Sequence, residues 1–340
     1  MGSPFVELQR AEEISASGPR SVIDEALGGS QPVVLRGAAK DWPFVRESMN
    51  SDEAAVAYLE RFYKDKPVNT IVADPSENGR LFYRGDSKEL NYREAPQLLS
   101  NVLKGLLQQK NADEPLGIAI QAISASDCLP GLEEENPNTF VPAGTKARVW
   151  IGNRVTVAPH FDVADNLACV MAGRRRFILF PSEQTANLYP GPLDVTPANV
   201  PISMVSLDRP ELDRFPRYRD AMKAALVAEL GPGDAIYIPC MWWHGVQSLS
   251  PFNVLMNYWW SADAVAARHP YGALLHLAYV LYRGTPSEHR QAWRALYDHY
   301  VFQTGGDPTE ALAPGQRYRG RDIEPEKVAQ LKDALRKLLS

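Results

Sequence analysis

The alternation of apolar and polar positions changes character along this chain. Up to about residue 145 the pattern is mixed. Gln31-Pro32-Val33-Val34-Leu35-Arg36-Gly37 reads as a short buried strand closed by glycine, Asp52 to Tyr63 carries helical spacing, and Pro96 to Gln109 reads as a helix with proline in its first turn. A loop rich in Glu and Pro, Glu133 to Asn138, leads onward. From about Arg148 to Trp260, short runs of Val, Ile, Phe and Tyr alternate with Gly, Pro and Asp, the texture of an antiparallel sandwich or barrel. The predicted strands are Val149 to Ile151, Leu167 to Met171, Phe177 to Phe180, Ala235 to Ile238, Gly245 to Leu249 and Val254 to Trp259. Ser182 to Leu230 is too long for a hairpin loop and is expected to be an insertion, partly helical at Tyr218 to Leu230, of the kind that carries substrate contacts. After Asp263 helical spacing takes over, at Tyr271 to Tyr282, Pro286 to Phe302 and, as a charged amphipathic helix, Pro325 to Leu339. The stripe Ala273, Leu274, Leu277, Ala278, Leu281 and Tyr282 must cover something, either its own barrel or a second subunit.

A chain of 340 residues holds one large domain with additions or two smaller ones. Its 45% hydrophobic and 23% charged residues exclude disordered, collagenous and coiled-coil classes. A net charge of -5 argues against broad phosphate-backbone binding, so nucleic acid is an unlikely partner. Cys128, Cys169 and Cys240 form no CxxC pair, which disfavours a disulfide scaffold and a thiolate zinc site. The N-terminus lacks the basic and apolar regions of a signal peptide, and no apolar run reaches the length of a spanning helix. A soluble cytoplasmic protein without membrane attachment is expected.

Of the six histidines, four lie in the helical tail, and His160 and His244 remain in the strand-rich region. In His160-Phe161-Asp162 the first and third side chains of a strand emerge on one face. His244 stands near the start of a later strand. Two neutral imidazoles and one carboxylate on a triangle leave three coordination positions open, as non-haem Fe(II) oxygenases need. Zinc more often takes three protein ligands and one open position. An HxD triplet alone arises often by chance.

The flanking residues are more specific. Asn166, then Gly173-Arg174-Arg175-Arg176-Phe177-Ile178-Leu179-Phe180-Pro181, Gly231-Pro232-Gly233-Asp234-Ala235-Ile236-Tyr237-Ile238-Pro239, Trp242-Trp243-His244 and Asn257-Tyr258-Trp259 follow in order over about 110 residues. In these blocks the chain resembles the JmjC and cupin-like Fe(II)- and 2-oxoglutarate-dependent oxygenases, nearest to the asparaginyl hydroxylase that inhibits hypoxia-inducible factor. Weaker similarity reaches back to Pro32 to Gly37 and Asp41-Trp42-Pro43. The resemblance implies a mainly β fold with α additions, a double-stranded β-helix or jelly-roll barrel. It would occupy residues 146–262 with an insertion at 182–230, flanked by N-terminal α/β elements at 1–145 and C-terminal helices at 263–340 that pair into a homodimer. It also implies that His160, Asp162 and His244 hold Fe(II), with 2-oxoglutarate and O2 as co-substrates. Gly233 and Asp234 are expected only to turn the chain, with Ile236 and Ile238 packing inside the barrel.

By the family pattern the cation for the distal carboxylate of the co-substrate is Arg175, where the asparaginyl hydroxylase has Lys; Arg grips a carboxylate with two parallel hydrogen bonds. The family threonine falls at Val157, with Thr156 one place earlier, and no tyrosine stands near Ile118 to Gln121. Asn166 and Asn257 match asparagines near the metal, Tyr237 and Tyr258 are within reach of the cavity, and Trp242, Trp243, Trp259 and Trp260 are expected mostly in the core. The function implied is hydroxylation of a protein side chain or small molecule with conversion of 2-oxoglutarate to succinate. The alternatives are a non-catalytic metal-binding module, motivated by the missing Tyr and displaced Thr, a tRNA-modifying oxygenase of the same fold, or a metal hydrolase or isomerase on the same barrel.

Overall fold

The computed structural model describes residues 8–85, 89–193, 196–198, 200–261 and 270–311, together with 330, 333 and 334. The chain divides into two compact units, 1–269 and 270–340, each taken by itself below.

In the first unit eight strands form a jelly roll. Ala147–Gly152, Asp165–Ala172, Ala235–Ile238 and Asn253–Trp260 lie in one sheet, and Thr156–Phe161, Arg175–Phe180, Leu226–Leu230 and Trp243–Ser248 in the other. Stretches before residue 145 extend both. The larger sheet has nine strands in the order Glu12–Ser15, Val33–Arg36, Ala235–Ile238, Asp165–Ala172, Asn253–Trp260, Ala147–Gly152, Gly117–Ser124, Pro67–Ala73, Tyr92–Leu98. The smaller sheet gains Gln9–Arg10 and Arg80–Leu81 at its edges.

Strand Asp165–Ala172 shows why the central strands read as unbroken apolar runs: both of its faces are buried. Leu167, Cys169 and Met171 join the core formed with helices Pro43–Asn50, Asp52–Glu60 and Leu99–Gln108 on the outside of the larger sheet. Ala168 and Val170 point the other way, into the barrel, where they meet Phe177, Leu179, Ile236 and Ile238. Tyr237 and Tyr258 belong to the outer core. They therefore do not reach the barrel cavity, contrary to the sequence expectation, because each sits one residue out of phase with the inward-facing positions.

Three further elements differ from expectation. The helix predicted from Pro96 begins at Leu99; Pro96 lies in the edge strand Tyr92–Leu98, where a missing N–H is tolerated. The stretch Tyr218 to Leu230 is helical only over Tyr218–Lys223, and Leu226–Leu230 is a barrel strand antiparallel to Arg175–Phe180. There Ala228 and Leu230 turn inward while Glu229 turns out to pair with Arg176 at 2.6 Å and Arg174 at 3.1 Å. The acidic loop at Glu133 contains one helical turn, Leu132–Glu135.

In the second unit helices Pro270–Gly284 and Ser287–Tyr300 match the two predicted segments, and the predicted helix Pro325 to Leu339 lies outside the described residues except at 330, 333 and 334. Among the described residues no helix is long and apolar enough to cross a membrane.

Turns fix the strand phases. Gly233, at φ 92°, lies against the Lys40 backbone, while Asp234 accepts from the Gly37 N–H at 3.0 Å and pairs with Arg36 at 2.7 Å, a purely architectural role. Gly173, at φ 73°, joins Asp165–Ala172 to Arg175–Phe180 where a Cβ would fall 2.4 Å from the Phe252 carbonyl oxygen. Gly173→Ala is expected to cost about 1–3 kcal/mol in urea unfolding. Gly231→Ala, which meets nothing within 4 Å, should stay within about 0.5 kcal/mol of the parent. Equal losses for both would contradict this account of the turn.

Candidate metal centre and its cavity

His160 lies in Thr156–Phe161 and faces His244 of Trp243–Ser248 directly across the antiparallel ladder, with ring centroids 4.4 Å apart. Asp162 follows immediately after the first strand, and its Oδ2 lies 3.6 Å from His244 Nε2. One ligand atom from each of the three side chains falls within 4.8 Å of the others. Each imidazole has its Nδ1 against a backbone carbonyl, His160 on Ala158 at 3.0 Å and His244 on Trp242 at 3.1 Å. An N–H directed there puts the lone pair on Nε2, the form a metal ligand requires. Desolvation, with the nearby His244 second, pulls the His160 pKa down to about 4 against the opposing pull of Asp162, so that ring is neutral at pH 7. Two imidazoles and a carboxylate are compatible with iron.

Asp162 is held from behind. Its Oδ2 accepts from Asn166 Nδ2 at 3.1 Å and from Trp259 Nε1 at 2.9 Å. Asn166 Oδ1 accepts in turn from Asn257 Nδ2 at 3.1 Å, and Asn257 Oδ1 from Trp150 Nε1 at 2.7 Å. This chain fixes both amide orientations, since reversing either would set like groups against each other. Asn166 and Asn257 are both buried and joined in one relay to the Asp162 carboxylate.

The three residues open into a cavity of about 490 Å³ between the sheets. Arg175 is 8% exposed and lines it. Its flanking arginines alternate outward to Glu229, which settles the strand phase left open by the apolar run Phe177 to Phe180. The Nε of Arg175 is buried with no hydrogen-bond partner, and no carboxylate among the described residues pairs with the guanidinium. Burial alone lowers its pKa, to about 10, so the group remains a cation at neutral pH. A charge buried without a counter-ion costs several kcal/mol, on the order of what a bound carboxylate would offset.

Thr156 does not line the cavity. The register between Thr156–Phe161 and Trp243–Ser248 slips by one residue between Val157 and His160, where three steps on one strand face two on the other. This bulge turns Val157 and His160 to the same wall; Thr156 pairs with Gln247 outside it, and the wall opposite Val246 is apolar. Trp259 also lines the cavity instead of filling the core, and Trp242 packs in the barrel interior with its Nε1 donating to the Ser30 carbonyl at 2.9 Å.

Sequence reasoning missed Tyr92, Glu94, Asn69 and Trp150, which complete the wall. Tyr92 and Glu94 come from the edge strand misread as a helix start, and Trp150 sits at the alternate position of a strand whose flanking Val149 and Ile151 face the other core. Gln121 and Ala122 enter through a second bulge, where Ala122 adopts φ 50°.

Trp259→Phe keeps a ring in place and removes one of the two donors to Asp162. Its dissociation constant for Mn(II), read by titration of the free ion's magnetic-resonance signal, is expected to rise about tenfold. An unchanged constant would contradict the orienting role of the indole.

The sequence profile described as Cupin-like domain matches residues 19–265. The chain is 36% identical over 118 residues to HSPB1-associated protein 1 of Homo sapiens, covering 34% of this chain and 24% of that one. It is 36% identical over 128 residues to lysine-specific demethylase JMJ31 of Arabidopsis thaliana, covering 37% and 23%. A longer match, 24% identical over 249 residues, joins 70% of the chain to 50% of lysine-specific demethylase 8 of Xenopus tropicalis. The chain thus spans half or less of the length of these relatives. With the profile match covering most of its length and a jelly-roll barrel beneath it, the chain belongs to the cupin-like domain family.

Proposed function

We propose that the protein is an Fe(II)- and 2-oxoglutarate-dependent oxygenase that hydroxylates a protein side chain or a small molecule. The observation that carries this reading is the buried, unpartnered Arg175 in the same cavity as His160, Asp162 and His244. Metal alone needs no such cation; a dicarboxylate co-substrate does. When bound, Fe(II) and 2-oxoglutarate supply oxidative decarboxylation to succinate and carbon dioxide, coupled to insertion of one oxygen atom of O2 into a substrate C–H bond.

The chain's own residues hold and orient the reactants. His160, Asp162 and His244 would hold the metal through one ligand atom each. Trp259 and Asn166 keep the Asp162 carboxylate from rotating. Arg175 would neutralise the far carboxylate of the oxo acid, and the apolar Val157, Phe177, Val246 and Leu255 would keep the space between dry. A second reading, a metal-binding module without turnover, is favoured by Val157 standing where a hydroxyl is expected.

Succinate formation and dioxygen consumption by the Fe(II)-reconstituted chain separate the two. Both should require 2-oxoglutarate and fall to background in His160→Ala and Asp162→Ala. Full turnover by either variant would refute the assignment, and metal binding without succinate would favour the module.

We also propose that a second copy covers the apolar faces of helices Pro270–Gly284 and Ser287–Tyr300, where Leu274, Trp293 and Leu296 are about half exposed. A solution mass near twice 37.8 kDa is expected by light scattering, and a mass of 37.8 kDa at tens of micromolar would contradict it.

A further inference from the structure

Asp165 and Asn166 open one strand, Asp165–Ala172, and turn to opposite faces of the larger sheet. Asn166 lines the cavity and holds Asp162. Asp165 does not line it. On the outer face its Oδ1 accepts from the Tyr237 hydroxyl at 3.1 Å and from the backbone N–H of Cys240 at 3.1 Å. Burial, and after it the Asp165 charge, holds the Tyr237 phenol above its ordinary pKa, so it stays a donor.

Cys240 belongs to turn 239–242, which joins Ala235–Ile238 to Trp243–Ser248 and delivers His244. Within it Met241 stands at φ 69°, a left-handed conformation that a non-glycine residue rarely adopts and that persists only where neighbouring contacts impose it. Three backbone N–H groups supply such contacts. Cys240 donates to Asp165, Met241 to the Asp162 carbonyl at 2.9 Å and Trp242 to the Pro239 carbonyl at 3.2 Å. Of these three acceptors, only Asp165 uses its side chain. The Trp242 carbonyl in turn meets His244 Nδ1 at 3.1 Å. Its direction follows from the peptide planes before it, and it selects which imidazole nitrogen carries the proton.

We propose that Asp165 is a positioning residue for the metal centre: by fixing the Cys240 N–H it holds turn 239–242 in its left-handed form and so sets the tautomer and aim of His244. Two adjacent residues thereby brace two ligands, Asn166 acting on Asp162 from inside the barrel and Asp165 on His244 from outside. The inference rests on the metal centre of the proposed oxygenase, but not on turnover.

The full chain is compared with Asp165→Ala, Asp165→Asn and Tyr237→Phe. The bond from Trp242 Nε1 to the Ser30 carbonyl, 2.9 Å, does not involve Asp165 and keeps the turn attached in each variant. In the metal-free parent at about pH 8, above the ordinary imidazole pKa, long-range proton–nitrogen magnetic resonance should place the His244 proton on Nδ1. The signal is assigned by its loss in His244→Ala. In Asp165→Ala the Nε2-protonated form should appear beside it, and the dissociation constant for Mn(II) should rise about tenfold. Asp165→Asn keeps an acceptor at Oδ1 and should restore the parent tautomer, with a constant within about threefold of the parent. Tyr237→Phe removes the other donor to the same oxygen, so it should lower the melting temperature and leave both readouts unchanged. An Asp165→Ala chain with the tautomer and Mn(II) constant of the parent would overturn the proposal. So would an equal loss in Tyr237→Phe, which marks general loosening, or in Asp165→Asn, which retains the acceptor. Absence of succinate in the parent would count against the oxygenase alone, since neither readout needs turnover.

Discussion

The antiparallel pairing of Thr156–Phe161 with Trp243–Ser248 governs the site. It sets His160 against His244, and its one-residue bulge decides which side chains upstream of His160 face the cavity. In a regular ladder positions 157 and 160 would point to opposite sides, because strand side chains alternate. With the extra residue they share a wall, Thr156 turns away and Val157 takes its place. The same phase is held on the far side of Trp243–Ser248 by Arg175–Phe180, where Arg175 opposite Ser248 faces inward while Arg176 opposite Gln247 faces out. Three of the groups that matter most, His160, His244 and Arg175, are thus phased by one block of paired strands.

Charge is distributed along the cavity with little redundancy. A cation lies buried near one wall without a protein partner, the Asp162 carboxylate is held by two neutral donors, and a second, exposed carboxylate, Glu94, lines the same cavity. An unpaired buried Arg175 costs the barrel stability, a cost that a bound carboxylate would offset through charge-assisted hydrogen bonds. The Trp150–Asn257–Asn166–Asp162 relay reaches Asp162 through neutral groups only, so it holds the carboxylate's geometry without altering the net charge beside it.

Much of the barrel was legible because its strands are β-branched or aromatic runs between Gly, Pro and Asp, and His160, Asp162 and His244 emerged from alternation plus the order of the surrounding blocks. What escaped has a common physical cause. Where both faces of a strand are buried, apolar runs lose the alternation that reports side-chain direction, so Arg175, Tyr237 and Trp259 could not be assigned to a face. Leu226 to Leu230 reads as helix because it follows a helical turn after only two residues, and a strand with Ala228 inside and Glu229 paired outside looks amphipathic in either period. Tyr92 and Glu94 were hidden by Pro96, which reads as a helix start yet is harmless on an edge strand. The bulge that displaces Thr156 was visible as a surplus residue before His160, but not the direction in which the chain absorbs it.

The account stands or falls on Arg175 as the receptor for a second carboxylate. Its most direct test is calorimetric titration of the Mn(II)-loaded protein with 2-oxoglutarate and with 2-oxobutyrate, which keeps the chelating oxo acid and lacks the distal carboxylate. The account predicts that 2-oxoglutarate binds at least a hundredfold more tightly, in line with a buried charge-assisted pair, and that Arg175→Met removes the difference. Comparable affinities for the two acids in the parent protein would contradict it.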